Sequence, residues 1–187
     1  MDAGGLPRWV HSELDIGEDV VSPYLWWRGF RRLDAVAITH AHADHMGGMA
    51  AVMANFRPRE LWLGSDQESA EMKSVVNKAR ELGVQMIQHR AEEQFEFGGA
   101  VVRVLAPDAQ DESVKKNDAS LVMKLIWGNT SEFAVNSLGA RNVYGHPRRE
   151  VLKRLQESNT KTYRTDLNGA VSFYLDGKDV SPRLPLR

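Results

Sequence analysis

The chain has 187 residues, with 24 Lys and Arg against 25 Asp and Glu, a formal net charge of −1, and no cysteine. That balance gives no global pull toward nucleic acid or a membrane surface, and the lack of thiols excludes a disulfide framework and a thiolate zinc site. At 42% hydrophobic and 26% charged residues the chain reads as one globular domain able to bury a sizeable core, and no apolar run approaches the roughly 18 residues of a membrane span.

The amino terminus, MDAGGLPRWVH, has neither the basic segment nor the apolar core of a signal peptide, so the chain reads as soluble and untargeted. DAGG at residues 2–5 reads as the end of a strand whose body is missing. GEDVVSPYLWWRGF has helical spacing, with Pro23 near the first turn. DAVAITH is a buried strand, and GGMAAVMANF a short helix soon after it. The pattern repeats: ELWLG is a strand, SDQESAEMKSVVNKAREL a helix opened by Ser65, and GVQMIQH a further strand.

Beyond this point the texture changes. EQFEFGGAVVRVLAP predicts a hairpin around Gly98-Gly99, and ASLVMKLIWGNTS and EFAVNSLG predict short strands. PRREVLKRLQES predicts a helix with Pro147 at its start, and KTYRTDLNGAVSFYLDG two strands turning at Asn168-Gly169. Strand–helix alternation followed by hairpins indicates an α/β fold with mixed sheets. One domain over residues 1–180 is expected, with 181–187 as a frayed tail.

His40, His42, Asp44 and His45 crowd into six positions where a buried strand ends, just before Gly47-Gly48. Strand side chains alternate, so His40 and His42 can point the same way, while Asp44 and His45 fall on the turn into the helix. Imidazole and carboxylate suit zinc, manganese or iron, and two such ions form a clamp for phosphoryl transfer. Packing alone does not account for this density, whereas His11 and His89 read as ordinary surface or core histidines.

HAHADHMGG resembles the HxHxDH motif of the metallo-β-lactamase fold, and DAGG resembles the aspartate–glycine motif that precedes it there. VVSPYLWWRGFRRLDAVAITHAHADHMGG, NDASLVMKL, SLGARNVYGHPRREVLKRL and YRTDLNGAVSF, in this order, are similar to the carboxy-terminal metallo-β-lactamase-like domain of the ComEC family of competence DNA-uptake proteins. The resemblance covers nearly the whole chain; HxHxDH specifies only the superfamily, and NVYGHP with YRTDLNGAV narrows it. It implies an αββα sandwich and a nuclease acting on single-stranded DNA with a divalent metal pair, zinc or manganese, in a domain attached to a bacterial membrane channel protein. His40, His42, Asp44 and His45 would be metal ligands, and Asp44 also the catalytic proton acceptor.

This sequence departs from the family pattern in one place. After NDASLVMKL the family has a strand ending in TGD, whose aspartate bridges the metals, and another ending in HHGS; neither motif occurs here. The chain runs from LIWGNTS straight to EFAVNSLG, as if several dozen residues were missing near 131–132, which leaves the second half of the sandwich incomplete. A catalytic zinc site takes about three protein ligands and a water, so one weakly held ion is the expectation.

Around the cluster, Asp2 is a candidate for the motif's aspartate. Asn117 and Asp118 are either Asx-turn residues or groups just behind the metals. His146 is either a turn residue before Pro147 or a rim residue touching phosphate. Arg141, Arg148 and Arg149 belong to a basic stretch, also including Lys153, Arg154, Lys161 and Arg164, that is either a solvated face or a phosphate-facing surface. Three functions stay open: a metal-dependent phosphodiesterase, impaired by the missing motifs; an inactive DNA-binding or structural remnant; and a thioester or lactam hydrolase on the same fold.

Overall fold

The computed structural model describes residues 3–5, 13–39, 41, 43–64, 69–107, 121–126, 133–136, 149–157, 160–168, 171–175 and 180–184. They fall into two compact units, Met1–Glu93 with Val104–Val122, and Gln94–Arg103 with Met123–Arg187.

The first unit opens with one π-helical turn, Gly17–Val21, that runs into α1, Ser22–Trp27. The sequence predicts an ordinary helix here; Pro23 explains the wide turn. It has no N–H to donate, and its ring crowds the carbonyl four residues back, so a tight α turn is disfavoured there. The strand β1, Ala35–Ile38, follows. Next come a one-turn helix α2, Ala43–Met46, and then α3, Met49–Phe56. Met49, Val52, Met53 and Phe56 are spaced i, i+3, i+4, i+7 on α3, and all four are buried. Arg57 ends α3 at a left-handed φ of 45°, donating its N–H to Met53 O at 3.0 Å, and Pro58 bars any continuation.

β2, Glu60–Leu63, leads to α4, Ala70–Glu81. Ser65 does not cap this helix. Ser69 does, its hydroxyl accepting from Met72 N at 3.0 Å, while residues 65–68 lie outside the described set. β3, Gln85–Gln88, completes a parallel sheet of order β1-β2-β3 in which Ile38, Leu63 and Gln88 lie in register. The core of this unit joins Ile38, Leu61, Val75, Ala79 and the α3 residues, together with Ala3 and Met46. Burying each large side chain contributes about 1.5–3 kcal/mol.

β4, Gln94–Phe97, in the second unit, is antiparallel to β5, Ala100–Ala106, whose last three residues are counted with the first unit; their turn is the predicted one at Gly98-Gly99. Both glycines have positive φ, 59° and 85°, as a tight hairpin turn demands. Along β5, buried Ala100, Val102 and Val104 alternate with more exposed neighbours, the period of a half-buried strand. β6, Val122–Ile126, adds to β5.

The remaining elements are β7, Phe133–Asn136; α5, Arg149–Glu157; β8, Lys161–Arg164; α6, Thr165–Asn168; β9, Ser172–Leu175; and β10, Val180–Arg183. Two expectations are corrected here. No hairpin turns at Asn168, because its Oδ1 accepts from Arg164 N at 2.9 Å and closes the helical turn α6. β8 therefore pairs in parallel with β7, and β9 pairs antiparallel with β10, which takes in residues 181–183 of the stretch expected to fray. The missing-segment junction near 131–132 and Pro147 lie outside the described residues. Among the described residues no helix is long and apolar enough to cross a membrane.

Candidate metal centre

The His-rich loop leaves the carboxyl end of β1, at the edge where β2 and β3 also end. Crevices outside the carboxyl ends of parallel strands are where α/β sheets bind ligands. Side chains of apolar type hold β1 down along its length, since Val36, Ala37 and Ile38 are all buried. Two further chain segments converge on this loop, and each is tied to it by backbone hydrogen bonds.

The first is the amino-terminal Ala3-Gly4. Ala3 N donates to His45 O at 2.8 Å, Gly4 forms a parallel bridge with Met46, and Gly48 N donates to Gly4 O at 3.0 Å. Ala3-Gly4 thus docks on the turn carrying the Asp44-His45 pair. Its approach depends on glycine: a Cβ on Gly48 would sit 2.3 Å from Gly17 N and 2.5 Å from Ala3 O, and Gly4 itself has φ +65°. Three backbones therefore meet where only hydrogen atoms fit.

The second is the start of β6. Leu121 N donates to Thr39 O at 2.7 Å, and Leu121 is buried. Thr39 immediately precedes His40, and Leu121 follows Asn117 and Asp118 by four and three positions.

His45 is half-buried on α2, and its carbonyl is held by Ala3. His40, His42, Asp2, Asn117, Asp118, Arg141, His146 and Arg148 lie outside the described residues, as does the side chain of Asp44. Arg149 is exposed at the start of α5. Among the described residues no group of three or more His, Cys, Asp or Glu is placed to hold a metal ion. By donor chemistry, three imidazoles and a carboxylate on one loop fit a single borderline cation.

His89 also sits at the carboxyl edge, directly after β3. It is buried, its Nδ1 lies 2.8 Å from Glu93 Oε2, and its ring meets Trp62 edge-on at 5.4 Å. It is a core histidine, as expected. The sequence reading missed the glycine contacts, although Gly4, Gly17 and Gly48 were visible as glycines.

A profile of the β-lactamase superfamily domain matches residues 14–135. The chain belongs to this superfamily. Its fold is the metallo-β-lactamase α/β fold. ComE operon protein 3 of Bacillus subtilis (strain 168) is 26% identical to the superfamily domain described here over 208 residues, covering 84% of this chain and 26% of that protein. Competence protein ComA of Neisseria gonorrhoeae is 27% identical over 196 residues, covering 83% of this chain and 27% of that protein. The chain spans about a quarter of the length of these relatives. Both matches run over more positions than the chain has residues, so the relatives are longer between the matching stretches. Among solved structures, a Cronobacter sakazakii metallo-β-lactamase with a HARLDQ motif is 16% identical with a TM-score of 0.44, covering 84% of this chain and 62% of that one.

Proposed function

We propose that this chain is a metal-dependent hydrolase by descent, a phosphodiesterase on single-stranded DNA of the competence DNA-uptake type, with turnover in this polypeptide at or near background. The observation that supports the reading is the convergence of two separate segments on one loop. Ala3-Gly4 is bonded at His45 and Gly48, and Leu121 at Thr39, which supports a loop held from two sides. The competence names of the two relatives support DNA as substrate, and their unmatched length would hold the membrane channel.

His40, His42, Asp44 and His45 would hold one divalent cation, zinc or manganese. When bound, such an ion polarises a phosphoryl oxygen and lowers the pKa of water toward neutrality. Asp44 would accept the proton given up by the attacking water. Arg141, Arg148 and Arg149 would seat the phosphate backbone, with Asp2, Asn117, Asp118 and His146 around the ligands. The shortfall lies in the absent TGD and HHGS motifs. The extra length in both relatives supports a segment missing from this chain, and the absent motifs favour a place near 131–132. Without the carboxylate that the family pattern places between the ions, a second cation would lack the anion that screens it from the first.

Oligonucleotide cleavage with excess manganese, compared between wild type and Asp44→Ala, tests the reading. Background rates in both are expected. Robust turnover abolished by Asp44→Ala would show that the remaining ligands suffice. Metal content is the second readout: His42→Ala should bind less than wild type, and equal content in the two proteins would remove the cation site.

A further inference from the structure

An aromatic and basic surface on α1 and the turn after it lies outside the metal centre. Ser22 and Leu25 point into the core and are buried, which turns the opposite side of the helix outward. Trp27 is 79% exposed, and Trp26 and Phe30 are 44% and 45% exposed. Large aromatic side chains so exposed are costly unless something covers them.

The surface is held rigidly. Gly29 N donates to Trp26 O at 2.9 Å and Phe30 N to Leu25 O at 3.0 Å, with Gly29 at φ +83°. This pair of bonds is a Schellman cap, and it fixes where Phe30, Arg31 and Arg32 emerge. Trp26 packs on Phe56 with ring centroids 5.6 Å apart, and Trp27 lies 6.1 Å from Tyr24. Arg28 donates to Tyr24 Oη at 2.7 Å and lies 5.7 Å from the centre of that ring. Arg31 and Arg32 are exposed.

We propose that this surface is a stacking platform for single-stranded nucleic acid, with Trp27 and Phe30 under unstacked bases and Arg31 and Arg32 on the backbone phosphates. Planar rings beside arginines match the two parts of a nucleotide. A duplex hides its base faces and offers no stack. An anionic bilayer would have to accept Glu13, Asp15, Glu18 and Asp19 along with the arginines, since these exposed acids directly precede α1 in the chain. A thin strand meets the aromatic and basic end alone. The proposal shares DNA as ligand with the function above but rests on different residues, and its test reads binding, not cleavage.

Fluorescence anisotropy of labelled oligothymidine on the full chain is the experiment, with cleavage followed separately on gels. Trp27→Ala should weaken binding about 5- to 150-fold, the range of one base–aromatic stack, and Trp27→Phe should keep most of it. Arg31→Ala with Arg32→Ala should flatten the log–log salt slope by about 1.4 units, at roughly 0.7 per phosphate. Because Trp27 and both arginines are exposed, far-UV circular dichroism should be unchanged in every variant. Wild-type affinity in Trp27→Ala overturns the proposal, as does equal affinity for single strand and duplex. Vesicles of phosphatidylcholine and phosphatidylglycerol that bind through Trp27 while oligothymidine fails to compete would assign the surface to a membrane instead. A dimer that dissociates on Trp27→Ala, with no oligonucleotide bound, would assign it to a second copy.

Discussion

The parallel sheet with its helices and the region beyond residue 121 make an instructive contrast. In the former, Ile38, Met46, Met49, Met53, Phe56 and Leu61 are shut away from solvent and form one cluster. In the latter, among the described residues, Tyr163 is the buried hydrophobic, while Val122, Leu125, Leu167 and Tyr174 are exposed. The His-rich loop belongs to the well-packed region. On the proposed reading, the donors this chain would lack belong to its other half, and the segments around Thr39, His45 and Gly48 belong to the well-packed one. Under that proposal stability and activity would be separable, because the residues that hold the fold are not those the family pattern finds missing.

The largest expected effect breaks or confirms that contrast directly. Phe56→Ala should cost about 3–5 kcal/mol, because a fully buried ring leaves a cavity that α1 and α3 cannot close. Tyr163→Ala should cost less, about 1–2 kcal/mol. Its ring is buried but its aromatic partner is Phe173, edge-on at 6.0 Å on another short strand. Urea unfolding of both variants is the measurement. If the two midpoints fell by the same amount, the carboxy-terminal region would be as well cored as the sheet, and the contrast would fail.

Which features were legible follows from how local their causes are. β1 and α3 are visible because a buried strand and an i, i+3, i+4, i+7 stripe are written in consecutive residues. The candidate ligand stretch is visible because three imidazoles and a carboxylate in six positions have no packing explanation. The parallel pairing of β8 with β7 is not visible, since Lys161–Arg164 and Phe133–Asn136 are separated by a stretch with no pairing signal of its own. Asn168-Gly169 carries hairpin chemistry, but Asn168 spends its side chain on Arg164 N instead. The resemblance of DAGG to the aspartate–glycine motif points to this neighbourhood, but how Ala3-Gly4 docks is legible only once Gly17 and Gly48 are seen back to back.

The next effect sharpens the link between packing and site. Gly48→Ala places a methyl group 2.3–2.6 Å from Gly17 N, Ala3 O and Gly17 Cα, all of them backbone atoms. Backbone cannot swing aside as a flexible side chain would, so about 1–3 kcal/mol of stability should be lost. Relief by pushing the amino-terminal segment outward would break the Ala3–His45 and Gly48–Gly4 bonds. Metal content should then fall together with the urea midpoint. A destabilised protein with undiminished metal would mean that DAGG supports the fold without supporting the site.

The smallest effect concerns α4, where the sequence offers Ser65 and the structure uses Ser69. Both residues precede acidic side chains, so capping preference alone does not choose between them. The choice follows from the buried face: Val75 and Ala79 lie four apart on α4 and enter the core, with Met72 one turn before Val75. A helix begun at Ser69 already presents all three, and another turn upstream would add Asp66, Gln67 and Glu68, which have no apolar surface to bury. Ser69→Ala removes the acceptor for Met72 N and should cost about 1 kcal/mol. In a protein of this size that is a shift of roughly 2–4 °C in Tm. Ser65→Ala should leave Tm within error. The reverse order, with Ser65→Ala the costlier change, would move the helix start one turn upstream and return the cap to the position first read from the sequence. Differential scanning calorimetry resolves a difference of this size, and the pair of variants gives opposite signs for the two starts.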